Sequence, residues 1–84
     1  MSAEFQVHEV NKVGELLALP GELMRGKIAE GDIGSTWGGK RFKLLKIETK
    51  GGSLRQIEGN LKVTIIVRDI LDEDVRPGDR VYIE

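Results

Sequence analysis

Between residues 61 and 68 the chain alternates with a period of two. Leu61, Val63, Ile65 and Val67 fall on one face, and Lys62, Thr64, Ile66 and Arg68 on the other. That period predicts a strand with one buried face. A helix is the poorer reading, because Val, Thr and Ile lose χ1 freedom in a helix. A second strand is predicted over Lys40–Thr49, with Leu45 and Ile47 on one side and Phe42 and Leu44 on the other. Such a mixed register predicts a bulge or burial on both faces. Phe5 and Val7 alternate with Gln6 and His8 in a first strand, Phe5–Val10. Glu15–Leu19 and Leu23–Ala29 predict two more, divided by Pro20-Gly21, a pair suited to a type II turn. Arg76-Pro77-Gly78-Asp79 repeats that chemistry before a last strand, Arg80–Ile83. Glu30-Gly31-Asp32, Lys50-Gly51-Gly52 and Glu58-Gly59-Asn60 read as turns, and Asp72-Glu73-Asp74 as one short turn of helix.

No segment carries the period of an amphipathic helix. Eleven glycines in 84 residues divide the chain into many short elements. Frequent glycine punctuation with β-branched runs between is the pattern of a sandwich or barrel. The fold class predicted is all-β: residues 1–84 form a single domain, a small closed or nearly closed antiparallel β-barrel of about six to eight short strands. Closure is preferred because it removes exposed strand edges, with an open sandwich as the alternative.

The order of the turns resembles a known family. Arg25-Gly26-Lys27-Ile28-Ala29-Glu30-Gly31-Asp32 reads R-G-x-I-x-x-G-D. A strand with basic residues follows and ends Lys46-Ile47-Glu48. Glu58-Gly59-Asn60 precedes the strand Leu61–Arg68, and Asp74-Val75-Arg76-Pro77-Gly78-Asp79 precedes the last. This order resembles the second domain of translational GTPases, the β-barrel of elongation factor Tu and its relatives, over nearly the full chain. Two stretches depart from it: Pro20-Gly21-Glu22 lengthens the hairpin before Arg25, and Gly34–Gly39 is altered or inserted. The segment Gly34–Lys40 contains Gly and Lys without the spacing of a G-x-x-x-x-G-K-[ST] phosphate loop. The resemblance therefore implies a stand-alone barrel without nucleotide hydrolysis. In that family the barrel touches ribosomal RNA and helps hold the aminoacylated 3′ end of transfer RNA. Carried over, it implies an RNA contact at Arg25, Gly26 and Glu48, and the adjoining Lys27 is a further RNA-binding candidate. There an Arg would pair with phosphate, Gly26 would admit a close backbone approach, and Glu48 would accept from a ribose hydroxyl.

Charge taken by segment sharpens this picture. The chain has thirteen Lys+Arg and fourteen Asp+Glu, a net charge of −1. Residues 1–36 sum to −3, residues 37–68 to +6 and residues 69–84 to −4. A basic middle inside a near-neutral total points to a polyanion surface. Its candidates are Lys40, Arg41, Lys43 and Lys46 on one predicted strand, and Lys62 and Arg68 on the solvent face of the next. The even separations of Lys40 and Lys46, and of Arg41 and Lys43, make two sets that a bulge would bring together. Trp37 has two readings: a loop anchor packed on the barrel, or a platform for an unpaired base.

The remaining chemistry is sparse. With no Cys and one His there is no disulfide, thiolate zinc site or multi-histidine metal site. His8 reads as a surface strand residue. Asp72-Glu73-Asp74 lacks the spaced ligands of a calcium loop. No nucleophile–base pair or carboxylate pair suggests catalysis. No cofactor or metal is expected, and the chain is read as a non-enzyme. No run of about 18 apolar residues suggests a membrane span, and Met1-Ser2-Ala3-Glu4 does not read as a secretory signal. A cytoplasmic monomer is expected. Its expected partner is RNA, ribosomal or transfer, or a ribonucleoprotein. The alternative is a protein partner, with the acidic C-terminal block docking on a basic surface.

Overall fold

Period-two alternation runs through the long strands and sets which side chains are enclosed. The computed structural model describes residues 3–84. The expectations that involve Met1 and Ser2 lie outside the described residues. Among those residues the strands are β1 (Ala3–Val7), β2 (Asn11–Val13), β3 (Leu16–Arg25), β4 (Lys27–Ala29), β5 (Ile33–Ser35), β6 (Arg41–Thr49), β7 (Gly52–Leu54), β8 (Gln56–Glu58), β9 (Leu61–Arg68) and β10 (Arg80–Ile83). Asp72–Asp74 forms a single 3-10 turn, and no α-helix occurs among the described residues. The strand order is β1-β10-β5-β6-β9-β3, and β3 pairs back to β1. All of these pairings are antiparallel, so a six-stranded barrel closes. Two strands extend it: β2 lengthens the β3 edge, and β7 folds back on the end of β6. A separate ribbon, β4–β8, pairs Ile28 with Ile57. Phe5, Leu19, Leu23, Phe42 and Ile65 fill the barrel and are fully buried.

Two sequence expectations are corrected. Pro20-Gly21 is not a turn. It lies within the ten-residue strand β3, opposite Thr64 and Val63 of β9. The carbonyl of Pro20 accepts from His8 N at 2.8 Å and Glu9 N at 3.2 Å. The N–H and C=O of one strand residue point the same way. The N–H that proline lacks would therefore point into the crossover between β1 and β2, where the ladder asks for no donor. Gly21 is kept in the strand by space: a Cβ there would stand 2.0 Å from the Gln6 carbonyl oxygen and 2.7 Å from the Phe5 ring. The expected strand Leu23–Ala29 is also broken. Gly26 has φ 86°, a left-handed conformation that glycine adopts without strain, and it separates β3 from β4.

The mixed register of the basic strand resolves as a bulge. Leu44 opposes Val67 and Lys46 opposes Ile66, so Leu45 is the extra residue. The side chains of Phe42, Leu44 and Ile47 consequently all face inward, in place of the two opposed pairs expected from strict alternation.

Candidate nucleic-acid interface

The bulge decides the geometry of the charges. Strict alternation from Arg41 would turn Lys46 to the opposite side from Arg41 and Lys43. The extra residue restores it, and Arg41, Lys43, Lys46 and Glu48 are all exposed on the outer face of β6. Across the ladder Lys43 stands opposite Arg68, Lys46 opposite Ile66 and Glu48 opposite Thr64. Alternate residues along a strand are roughly 6.7 Å apart. Arg41, Lys43, Lys46 and Arg68 therefore form one compact basic cluster. Like charges placed directly opposite are unfavourable, so the Lys43–Arg68 pair does not recommend itself on stability grounds. Arg68 Nε donates to Asp69 Oδ1 at 3.2 Å, with both side chains more than half exposed, an arrangement that stabilises little. Among the described residues Arg41, Lys43 and Lys46 take part in no ion pair.

Lys62 sits away from that cluster, at the other end of β9. It lines an open groove of about 470 Å³ with His8, Pro20, Glu48, Lys50 and Thr64. Glu48 is thus flanked by Lys50 and Lys62. His8 and Lys50 join this groove although neither is a sequence candidate for the interface. Lys50 was visible as a member of the basic block, but its position beside Glu48 depends on the fold.

Arg25, Gly26 and Lys27 occupy a different place and do not join Glu48. They line a separate cavity of about 650 Å³ with Asp32, Gln56, Glu58 and Glu84. Arg25 is engaged by Glu4, Nη2 to Oε1 at 3.6 Å, and the other oxygen of Glu4 accepts from Arg80. The Gly26 carbonyl accepts from Gly59 N at 3.2 Å, continuing the β4–β8 ribbon. The grouping implied by the family resemblance is therefore split between two cavities.

Trp37 and Lys40 belong to the turn between β5 and β6. Thr36 N donates to the Lys40 carbonyl at 2.8 Å, Lys40 N to Thr36 Oγ1 at 3.1 Å, and Gly39 N to the Thr36 carbonyl at 3.0 Å. Thr36 is buried, whereas Trp37 is 76% exposed, so the reading of Trp37 as an anchor packed on the barrel does not hold. Among the described residues no group of three or more His, Asp or Glu is placed to hold a metal ion. No helix among them is long and apolar enough to cross a membrane.

The barrel superposes on parts of two translation factors. One is GDP-bound aIF5B from Aeropyrum pernix, with a TM-score of 0.85 at 17% identity over 98% of this chain and 14% of that one. The other is the apo form of the translation elongation factor SelB from Methanococcus maripaludis, with a TM-score of 0.86 at 11% identity over 100% of this chain and 19% of that one. No family model matches the sequence, and no curated protein sequence matches it. The chain is a small β-barrel with the fold of a translation-factor domain, as the order of its turns implied. It spans less than a fifth of either translation factor.

Proposed function

We propose that this barrel is a non-catalytic RNA-binding module that engages ribosomal or transfer RNA, or a ribonucleoprotein, through the outer face of β6 and β9. One observation carries the reading: the Leu45 bulge and the β6–β9 register gather Arg41, Lys43, Lys46 and Arg68 on one face. Lys and Arg so arranged neutralise phosphates and release condensed counterions. Glu48, beside Lys50 and Lys62, supplies an acceptor for a ribose 2′-hydroxyl, the group that distinguishes RNA from DNA. The likeness to domains of translation factors supports ribosomal or transfer RNA as the first ligands to try.

The test is a titration with transfer RNA and ribosomal RNA fragments at several salt concentrations. Four neutralised phosphates on single-stranded RNA give a log K against log salt slope of about −2.8. K43E/K46E is expected to abolish binding at moderate salt, while R25E changes it little because Arg25 already faces Glu4. Salt-insensitive affinity, or equal affinity of K43E/K46E and the parent, would overturn the reading. Recovery of one stoichiometric protein with no RNA would support the alternative instead, a protein-interaction barrel acting as a small subunit or adapter of a larger enzyme or ribonucleoprotein. Its surface would be the acidic C-terminal block, which includes the turn Asp72–Asp74.

A further inference from the structure

Trp37 is the largest apolar side chain in the sequence and, among the described residues, the most exposed large hydrophobic: 76% against 58% for Leu71 and 56% for Val13. Tryptophan is highly buried on average, and its ring contributes strongly wherever it finds a partner. Here the fold holds it away from the core. The three hydrogen bonds between Thr36 and Gly39 or Lys40 fix the turn, and the buried Thr36 anchors it. The residues that follow the indole, Gly38 and Gly39, carry no side chain. A Cβ would find only Thr36 Oγ1, at 3.9 Å, near Gly38 and nothing within 4 Å of Gly39. With no side chain on the two residues that follow it and 76% of its own surface exposed, Trp37 is accessible to a partner.

The charge around the turn selects that partner. No Asp or Glu occurs between Asp32 and Glu48, whereas Lys40, Arg41, Lys43 and Lys46 do. On the β5 side Arg41 stands opposite Ser35 and Lys43 opposite Ile33, both neutral, and on the β9 side Lys43 stands opposite Arg68. A flat, apolar, π-rich platform at the end of a row of cations fits a nucleobase attached to a phosphate chain. A duplex keeps its base faces stacked on one another and offers none to a side chain, whereas single strands, loops and ends do.

We infer that Trp37 is a stacking site for an unpaired base, and that it makes this barrel prefer single-stranded over duplex RNA. The inference rests on the proposed RNA-binding role and adds the class of RNA to it. Trp37 is the only tryptophan, so it reports on itself. The experiment titrates the full chain with a short unstructured uridine-rich RNA and with a perfect duplex of equal phosphate number, following tryptophan emission and, separately, labelled-RNA anisotropy. The single strand is expected to quench Trp37, and the duplex to leave it unchanged. W37A is expected to weaken single-strand binding about 5- to 150-fold and duplex binding by less than about twofold. W37F, which keeps a ring, is expected to recover part of the loss. Salt-dependent binding without quenching, or with W37A unchanged, would overturn the stacking site and leave the basic face standing. Binding to neither RNA would overturn both. A concentration-dependent oligomer of the free chain that W37A abolishes would assign the ring to self-association and overturn the inference.

Discussion

Gly21→Ala tests whether the barrel closes as described. Gly21 lies on β3 opposite Val7 of β1, in the pairing that joins the first and last strands of the sheet order. A methyl group there would meet the Gln6 carbonyl oxygen at 2.0 Å and two atoms of the Phe5 ring at 2.7 and 2.9 Å. Phe5 is fully buried and has nowhere to swing, and Gln6 O is main chain, so the seam itself must open. Overpacking of a core costs about 1–3 kcal/mol. A main-chain oxygen that cannot yield puts this variant at about 3 kcal/mol or above. Total stability for 84 residues is on the order of 4–13 kcal/mol. At a urea m-value of about 1 kcal/mol/M the midpoint falls by about 3 M. The melting temperature falls by roughly 12–24 °C, at about 4–8 °C per kcal/mol for a domain this small. Gly14→Ala is the control: Gly14 has φ 63° but nothing within 4 Å of a Cβ, so only the backbone preference of about 1–2 kcal/mol is lost. F5L/G21A separates the two contacts, since it relieves the ring and leaves the carbonyl. A Gly21→Ala midpoint no lower than that of Gly14→Ala would refute the seam, and full recovery in F5L/G21A would refute the role of Gln6 O.

Two further variants probe the fixed turn and the buried end of β1. Thr36→Val keeps the shape of a buried residue but removes the acceptor for Lys40 N, and is expected to cost about 0.5–1.5 kcal/mol. Steady-state anisotropy of Trp37 should fall with it; unchanged anisotropy would show that the hydrogen bond does not hold the ring. Glu4→Gln keeps one acceptor oxygen but removes the negative charge shared by Arg25 and Arg80, from a side chain only 12% exposed, and is expected to cost about 1–2 kcal/mol by urea melting. No change in that midpoint would place those two arginines in solvent.

The sequence made the long strands legible because their period is local. Leu61–Arg68 needs no neighbour to reveal its two faces, and the broken pattern of Lys40–Thr49 already offered a bulge as one of two solutions. Pro20-Gly21 misled because what permits it is tertiary. The absent proline donor points into a crossover, and the Phe5 ring and Gln6 carbonyl of another strand occupy the space beside Gly21. The three-residue strands β2, β5, β7 and β8 are too short to display a period, so no local pattern distinguishes them from turns. Candidate residues divided in the same way. Arg41, Lys43 and Arg68 could be named from charge and parity. The separation of Arg25 and Gly26 from Glu48 follows from which strands pair, and no local pattern encodes that. Trp37 was visible as a residue, but its exposure depends on Thr36 turning inward at the foot of the turn.

The charge sum shows why the chain's own residues matter beyond the fold. A net charge of −1 would discourage a polyanion partner if the charges were spread evenly. They are sorted by strand, and β6 and β9 are neighbours in the barrel although an excursion of residues 50–60 separates them in sequence. A basic segment thus becomes a basic face. Acids of residues 69–79 lie on the connection that follows β9, with only Asp69 reaching back to Arg68. The barrel shape itself tolerates identities of 11–17% with aIF5B and SelB, so it can place side chains without specifying them. Function has to be tested at the side chains this sequence puts there. K43E/K46E removes charge and leaves the platform, whereas W37A removes the platform and leaves the charge. If RNA is the ligand, the two variants must fail differently: the first for every RNA, with a shallower salt slope and the largest deficit at low salt, the second for single strands at any salt.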